Sequence, residues 1–513
     1  MSLDPRTPVL VGVGQHTQHD LPATLAEGHA PSAVDLAEVA VRAALEDCGA
    51  AGDVAAGLDA VYATRTFADS TPRRATGFGT CTNFPRSIAR RIGAEPSLAV
   101  YSQAGGNTPQ KAVNEFAERL ARGELDSVLL CGGEPLRTLK AAKRGGVELD
   151  WQEDVPGQLD DRGFGELWLN PSEIQHQITL PIHVYPLYEQ ALRGRSGRTV
   201  DQHLRAMAEL FSPLSAKADQ NPYAVQKRAH SAEEIATVGD SNPWIVHPYP
   251  RLLVARDGVD QAAAVVMMTV EKAEALGISK DRWVYLHGCA DLRDRLFMSD
   301  RPDLHSSPAV RACGETAFDM AGCNIDDIAA FDLYSCFPSA VAIAAEELGV
   351  AADDPRGLSL TGGLPYFGGP GNNYTMHSIA EAVAFCRADP QARALVTGNG
   401  GNLTKHSMGI YSAQPVAGVW ARPDGLAAQA EVDAVAHPSV RESFEGACTV
   451  EAASVIFKDG EPSFGVGFAR SPGGERVAMT VVEPAAVLEL LEDDLVGRKA
   501  RLAPEGGRNL LTF

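Results

Sequence analysis

The side chains in this chain that are best suited to chemistry lie in short glycine-rich stretches of its second half. Tyr334 and Cys336 share the run Tyr334-Ser-Cys-Phe337, Asn399 opens Asn399-Gly-Gly401, and His406 closes Gly401-Asn-Leu-Thr-Lys-His406. A phenol of lowered pKa can exchange a proton with a bound carbonyl compound, a thiolate can attack one, and an imidazole can serve as base. Each residue also has a plainer reading. Tyr334 is equally a core tyrosine with a satisfied hydroxyl, and Cys336 a small buried hydrophobe between apolar neighbours. His377 follows Tyr374-Thr-Met on a helical pattern, where a packed histidine is expected, whereas His406 reads as part of a polar loop. Tyr366 and Tyr374 flank Gly368-Gly369-Pro370 and share the ambiguity of Tyr334.

The first half carries a complementary feature, a place for a nucleophile without one. Val100-Tyr-Ser-Gln-Ala-Gly-Gly106-Asn-Thr-Pro leads into an apolar-periodic helix that runs to Leu120. A cysteine in such a turn would be activated, because exposed backbone N–H groups and the helix dipole favour the thiolate. Gly105-Gly106 keeps the turn and lacks the thiol, although two glycines also serve simply to permit positive φ.

Taken together, these stretches resemble the thiolase superfamily. Counting back without a gap from Gly132-Gly133-Glu134 and the Gly123 turn places the family's nucleophilic cysteine on Gly106. The family's His-Asp-Cys-Phe or Asn-Glu-Ala-Phe box falls on Tyr334-Ser-Cys-Phe337, so Tyr334 replaces the Asn or His that helps bind the thioester oxygen. Its Gly-His-Pro box falls on Gly368-Gly369-Pro370, which puts the histidine base on Gly369, and its Cys-x-Gly box falls on Asn399-Gly-Gly401. Phe211-Ser-Pro-Leu-Ser-Ala and Asp260-Gln-Ala-Ala-Ala-Val-Val266 are similar to the sterol-carrier-protein class, in which asparagine also holds the last position. The resemblance implies catalytic positions at Tyr334, Cys336 and Asn399, with the ordinary nucleophile and base both glycine; His377 and His406 lie just beyond the two glycine motifs, and His406 is the better candidate to replace the missing imidazole. It also implies CoA or an acyl-CoA as ligand, with no tightly bound cofactor. Arg137, Lys140, Lys143 and Arg144 form a basic cluster able to hold CoA phosphates, although their spacing is equally that of a solvated helix face.

The elements that must position these residues alternate. Val9–Gly14, a helix over 32–47, Leu58–Ala63 and 97–101 are echoed between Trp283 and Ile410 by a second strand–helix series. Alternation of this kind predicts an α/β protein with largely parallel sheets. With the resemblance it implies a thiolase fold of two duplicated α/β halves in a layered α-β-α-β-α arrangement. The halves are expected at 1–270, with a loop domain at 139–247, and at 271–415; a β-rich, OB-like domain is expected at 419–513.

Composition narrows the function classes. The net charge of −21 opposes nonspecific nucleic-acid or anionic-membrane binding, and residues 421–513, with 9 Lys or Arg against 15 Asp or Glu, carry −6 of it. No apolar run approaches the roughly 20 residues of a membrane span, and the N-terminus has no signal-peptide pattern, so a cytoplasmic protein is expected. Nine cysteines without a C-x-x-C pair point to reduced, buried thiols rather than a metal site. The leading expectation is a thiolase-like member of the acetyl-CoA acetyltransferase superfamily that binds CoA or acyl-CoA and lacks ordinary thiolase activity. One alternative is a retro-aldol lyase on 3-hydroxyacyl-CoA that uses Tyr334; another is a noncatalytic scaffold with a partner on the C-terminal domain. Thiolases usually dimerise, and the added domain makes homodimer and monomer both open.

Overall fold

The computed structural model describes residues 3–71, 75–492 and 496–512. The first half carries β1 (Pro8–Thr17), β2 (Ala60–Ala63), β3 (Leu98–Tyr101) and β4 (Ser127–Pro135). A long insertion holds the short strands β5 (Asp160–Asp161), β6 (Trp244–Val246) and β7 (Tyr249–Pro250), and β8 (Asp260–Thr269) returns to the sheet. The second half carries β9 (Val284–Arg293), β10 (Ala330–Asp332), β11 (Arg393–Gly400) and β12 (Lys405–Ser412).

Strand order establishes the duplication. The first half runs β1-β8-β4-β2-β3 and the second β9-β12-β11-β10, so in each the opening strand lies beside the closing one. The two sheets meet through β1 and β9, which pair only at Val9↔Tyr285 and Leu10↔Val284. Helices Thr108–Ala121 and Tyr374–Ala388 pack on each other and on both sheets, forming the middle layer. Helices Ala33–Cys48 and Pro308–Ala321 cover the outer faces, which completes the five layers expected. Local sequence sets these boundaries: Ala33–Cys48 starts at Ser32, whose hydroxyl and backbone N–H exchange bonds with Asp35, and stops at Gly49, with φ +79°. All of β8 is buried, consistent with its Ala-Val-Met run.

The C-terminal barrel consists of β13 (Gly446–Lys458), β14 (Glu461–Arg470), β15 (Arg476–Val481), β16 (Lys499–Glu505) and β17 (Arg508–Thr512). It closes in the order β13-β14-β15-β17-β16 because β13 pairs with both β14 and β16. The barrel proper therefore begins later than residue 419. Trp420 Nε1 donates to the Leu286 carbonyl at 2.7 Å and Arg422 pairs with Asp291, so this connector packs on the second α/β half. β13 also pairs with β6 at Ile456↔Val246, which makes the insertion an extension of the barrel sheet. Arg476, wholly buried, grips Glu451 at 2.7 and 2.8 Å and donates to the carbonyls of Ser299 and Arg301 at 2.9 and 2.6 Å. Barrel, insertion and second half are thus joined by buried polar contacts. Among the described residues no helix is long and apolar enough to cross a membrane.

Candidate functional site

The middle-layer helices bring the glycine turns together. Gly105 and Gly106 precede Thr108–Ala121, and the turn is pinned from the other half: Asn372 Oδ1 accepts from Gly105 N–H at 3.1 Å, and Thr375 Oγ1 donates to the Gly106 carbonyl at 2.6 Å. The space in front of Gly106 is taken. A Cβ at this position would lie 2.2 Å from the Tyr334 hydroxyl and 2.6 Å from the Asn399 carbonyl oxygen, far inside contact distance. Tyr334 therefore stands where a side chain at 106 would point, and Gly106 and Tyr334 form one packing solution.

Around Tyr334 the site is a cluster of rings. Tyr334 meets Tyr374 edge-on at 5.5 Å, Tyr185 stacks on Phe337 at 4.6 Å, and Phe337 meets Tyr249 at 5.4 Å. Burial pushes the Tyr334 phenol well above its ordinary pKa, with the Cys336 thiol adding to the effect, so the phenol is held protonated. Its hydroxyl has no hydrogen-bond partner among the described residues. Burial likewise pushes the Cys336 thiol up to about 12, which keeps it a thiol. Asn399 Nδ2 donates to the Tyr185 hydroxyl at 3.0 Å and lies 4.0 Å from Cys336 Sγ, while its Oδ1 is buried without a partner. Tyr334, Cys336 and Asn399 are thus brought together.

His406 is not. The polar loop expected there is part of β12, and the ring is buried with Nε2 at 3.3 Å from Asp294 Oδ2 and from the Leu403 carbonyl. Asp294 carries this arrangement: burial opposes its charge, but Arg301 and His406 hold its carboxyl down at about 2. His377 is packed as expected, with Nδ1 at 2.7 Å from Gln15 Oε1 and its ring against Phe367. Burial, helped by His16, lowers its pKa to about 3, so it stays neutral. At Gly369 the contrast with Gly106 is sharp. A Cβ there would meet nothing nearer than 3.4 Å, so this position has room for the root of a side chain.

The basic cluster lies elsewhere. Arg137 donates to the carbonyls of His19 and Gln18 at 2.6 and 2.9 Å, and Lys140 pairs with Asp257. Lys143 and Arg144 are exposed on the same helix, and none of the four lines either of the two cavities described below. A cleft of about 730 Å³ instead opens in the insertion, walled by Lys227, Arg228, His230, Glu233, Glu234 and Arg256. Arg228 pairs with Glu234, whereas the Arg256 guanidinium has no partner among the described residues. The cleft backs onto the ring cluster. Arg256 N–H donates to the Leu364 carbonyl at 3.1 Å, its carbonyl accepts from Gly369 N–H at 2.8 Å, and Ala255 N–H donates to the Cys336 carbonyl at 3.1 Å. Tyr366 stacks on His230 at 6.3 Å. A cavity of about 360 Å³, walled by Phe84, Leu136 and Trp151, touches none of these residues. Sequence reasoning missed Arg256 and Tyr185: the first stands as a single arginine in Ala-Arg-Asp-Gly, and the second contacts Asn399 across 214 residues.

Comparison with known proteins agrees with this fold. The family model "Thiolase C-terminal domain-like" matches residues 290–369, and "Thiolase-like protein type 1 additional C-terminal domain" matches 427–507. A monomeric SCP2-thiolase like protein type 1 from Mycobacterium smegmatis is 39% identical over the whole of both chains, with a TM-score of 0.84. The Ltp2-ChsH2(DUF35) aldolase is 20% identical over 80% of this chain and 98% of that one, with a TM-score of 0.55, a likeness of fold alone. An acetyl-CoA acetyltransferase of Methanocaldococcus jannaschii is 23% identical over 262 residues, 51% of this chain and 59% of that protein.

Proposed function

This chain belongs to the SCP2-thiolase-like protein type 1 family, and from that premise we propose that it binds CoA or its thioesters without the acyl transfer of ordinary thiolases. The observation that carries the reading is the cleft at Lys227, Arg228 and Arg256, whose rear wall is hydrogen-bonded to Cys336 and Gly369. The phosphates of such a ligand match a mouth that carries Lys227, Arg228 and Arg256, of which Arg228 is already paired with Glu234. Arg256 supplies an uncommitted planar cation for a phosphate. Absence of transfer follows from the side chains: no thiolate and no imidazole stand at 106 and 369, and the phenol and thiol nearby are held protonated. Calorimetric titration with CoA tests the proposal. Saturable binding is expected, and Arg256→Glu is expected to weaken it by roughly tenfold or more, the scale of one lost charge-assisted contact. An unchanged affinity in that variant places the ligand elsewhere.

A further inference from the structure

The cavity of about 360 Å³ in the first half shares no residue with the cleft proposed for CoA. We infer that it is a second binding site, for an uncharged, largely apolar small molecule that presents a hydrogen-bond donor. Its place in the fold is one where α/β proteins hold ligands. β2 and β4 run parallel as neighbours; the chain leaving β2 supplies Thr66 and Asp69, and the end of β4 supplies Glu134 and Pro135, so the cavity lies outside the carboxyl ends of both strands. Val34, Phe84, Leu136, Leu139 and Trp151 give it apolar walls, and the one polar atom of the Trp151 side chain is spent on the Ala30 carbonyl at 2.9 Å. The loop wall over 75–81 is fixed in place. Trp151 N–H donates to the Phe78 carbonyl at 2.7 Å, the two rings meet edge-on at 5.8 Å, and Thr80 Oγ1 donates to Asp69 Oδ1 at 3.0 Å. The space is thus built into the fold, and an apolar body that enters it is removed from water.

The polar part of the lining sets the class of ligand. Asp69 and Glu134 place two carboxyl groups in the wall, and among the described residues no Lys, Arg or His lines it. The hydroxyls there are already committed: Thr66 Oγ1 donates to Asp69 Oδ2 at 3.0 Å, Thr80 to the other oxygen, and Ser32 exchanges bonds with Asp35. What the wall still offers is acceptor capacity, since a carboxylate has about four lone-pair sites. A ligand N–H or O–H is matched by them, whereas an anion is set against like charge.

The test is fluorescence titration of the intact chain with N-phenyl-1-naphthylamine, an uncharged apolar probe with one N–H donor, and with its 8-sulfonate, which adds an anion to the same rings. Saturable binding of the amine is expected, with the sulfonate weaker by roughly tenfold or more. Ala68→Phe, which fills the cavity, is expected to weaken amine binding by roughly tenfold or more. Should that variant not fold, Ala33→Leu at another part of the lining carries the same expectation. Absence of saturable amine binding, or amine binding unchanged in the filled variant, overturns the site. Equal affinities for amine and sulfonate overturn the assigned class of ligand.

Discussion

Gly106 and Tyr334 act as one unit although 228 positions separate them. Reinstating a cysteine at 106 alone puts Cβ 2.2 Å from the Tyr334 hydroxyl, so Gly106→Cys is expected to destabilise the fold by about 1–3 kcal/mol, the usual scale of overpacking. Gly106→Cys combined with Tyr334→Asn is expected to recover the part of that loss due to the ring in thermal melts, the 2.6 Å approach to the Asn399 carbonyl remaining, whereas Gly369→His, with 3.4 Å of clearance, is expected to cost less than Gly106→Cys. Equal melting temperatures for Gly106→Cys and wild type would show that the ring swings away freely. The resemblance puts the family's nucleophile and base positions on Gly106 and Gly369 through the flanking Gly105, Gly368 and Pro370, and the structure brings out how differently the two places are filled. That Tyr334 fills the vacated space was not legible, since it depends on a contact between two halves of the chain that carries no periodic signal.

At the scale of elements, two features carry predictions. The outer edge of β3 is not open: β5 pairs with it at Val100↔Asp160 and Tyr101↔Asp161. This two-residue cap is held by Arg162, which grips Glu115 at 2.7 Å through both guanidinium nitrogens, and by the Arg65–Asp161 pair. An uncovered edge is a template for association. Arg162→Ala combined with Asp161→Ala is therefore expected to raise the mass seen in light scattering above that of wild type, and an unchanged mass at high concentration would count against the cap. The second feature is a pair of buried neutral histidines. Burial lowers His377 to about 3 and His247 to about 4, the latter aided by Arg193. Both folded values lie below the unfolded value of about 6.5, so the unfolded chain takes up protons first as pH falls. Their contribution is full above pH 6.5 and is lost downward toward the folded values, amounting to about 2 kcal/mol each by pH 5. Urea unfolding at pH 7.5 and pH 5 is expected to show this loss, and His247→Gln to remove about half of it. The helices and strands themselves were largely readable from apolar periodicity and alternation; the β5 cap was not, because two paired residues leave no pattern.

Across the whole molecule the barrel is a weld rather than an appendage. Arg476 ties it to the segment Met298–Arg301, and Arg301 in turn holds Asp294, which pairs with His406, so barrel and second half share one buried network. Arg476→Met leaves Glu451 largely buried and short of its main partner, and is expected to cost about 3–5 kcal/mol in denaturant unfolding. Arg476→Met with Glu451→Leu is expected to regain much of it; if the double variant is as unstable as the single one, the bonds to the 299 and 301 carbonyls carry the weld instead. The two α/β halves and the β-rich tail were visible in the sequence as repeating alternation and turn signals. The pairing of β13 with β6 was not, since it joins strands 210 residues apart at Ile456↔Val246 through a single register position. The barrel thereby braces the strand that leads into Arg256, and with it the wall between the cleft and the ring cluster. The central claim is binding without acyl transfer. Its most direct test is chromatographic measurement of acetyl-CoA formed from acetoacetyl-CoA and CoA by the purified protein at concentrations that saturate the cleft. No acetyl-CoA above the protein-free rate is predicted, and turnover at an enzyme-like rate would contradict the account.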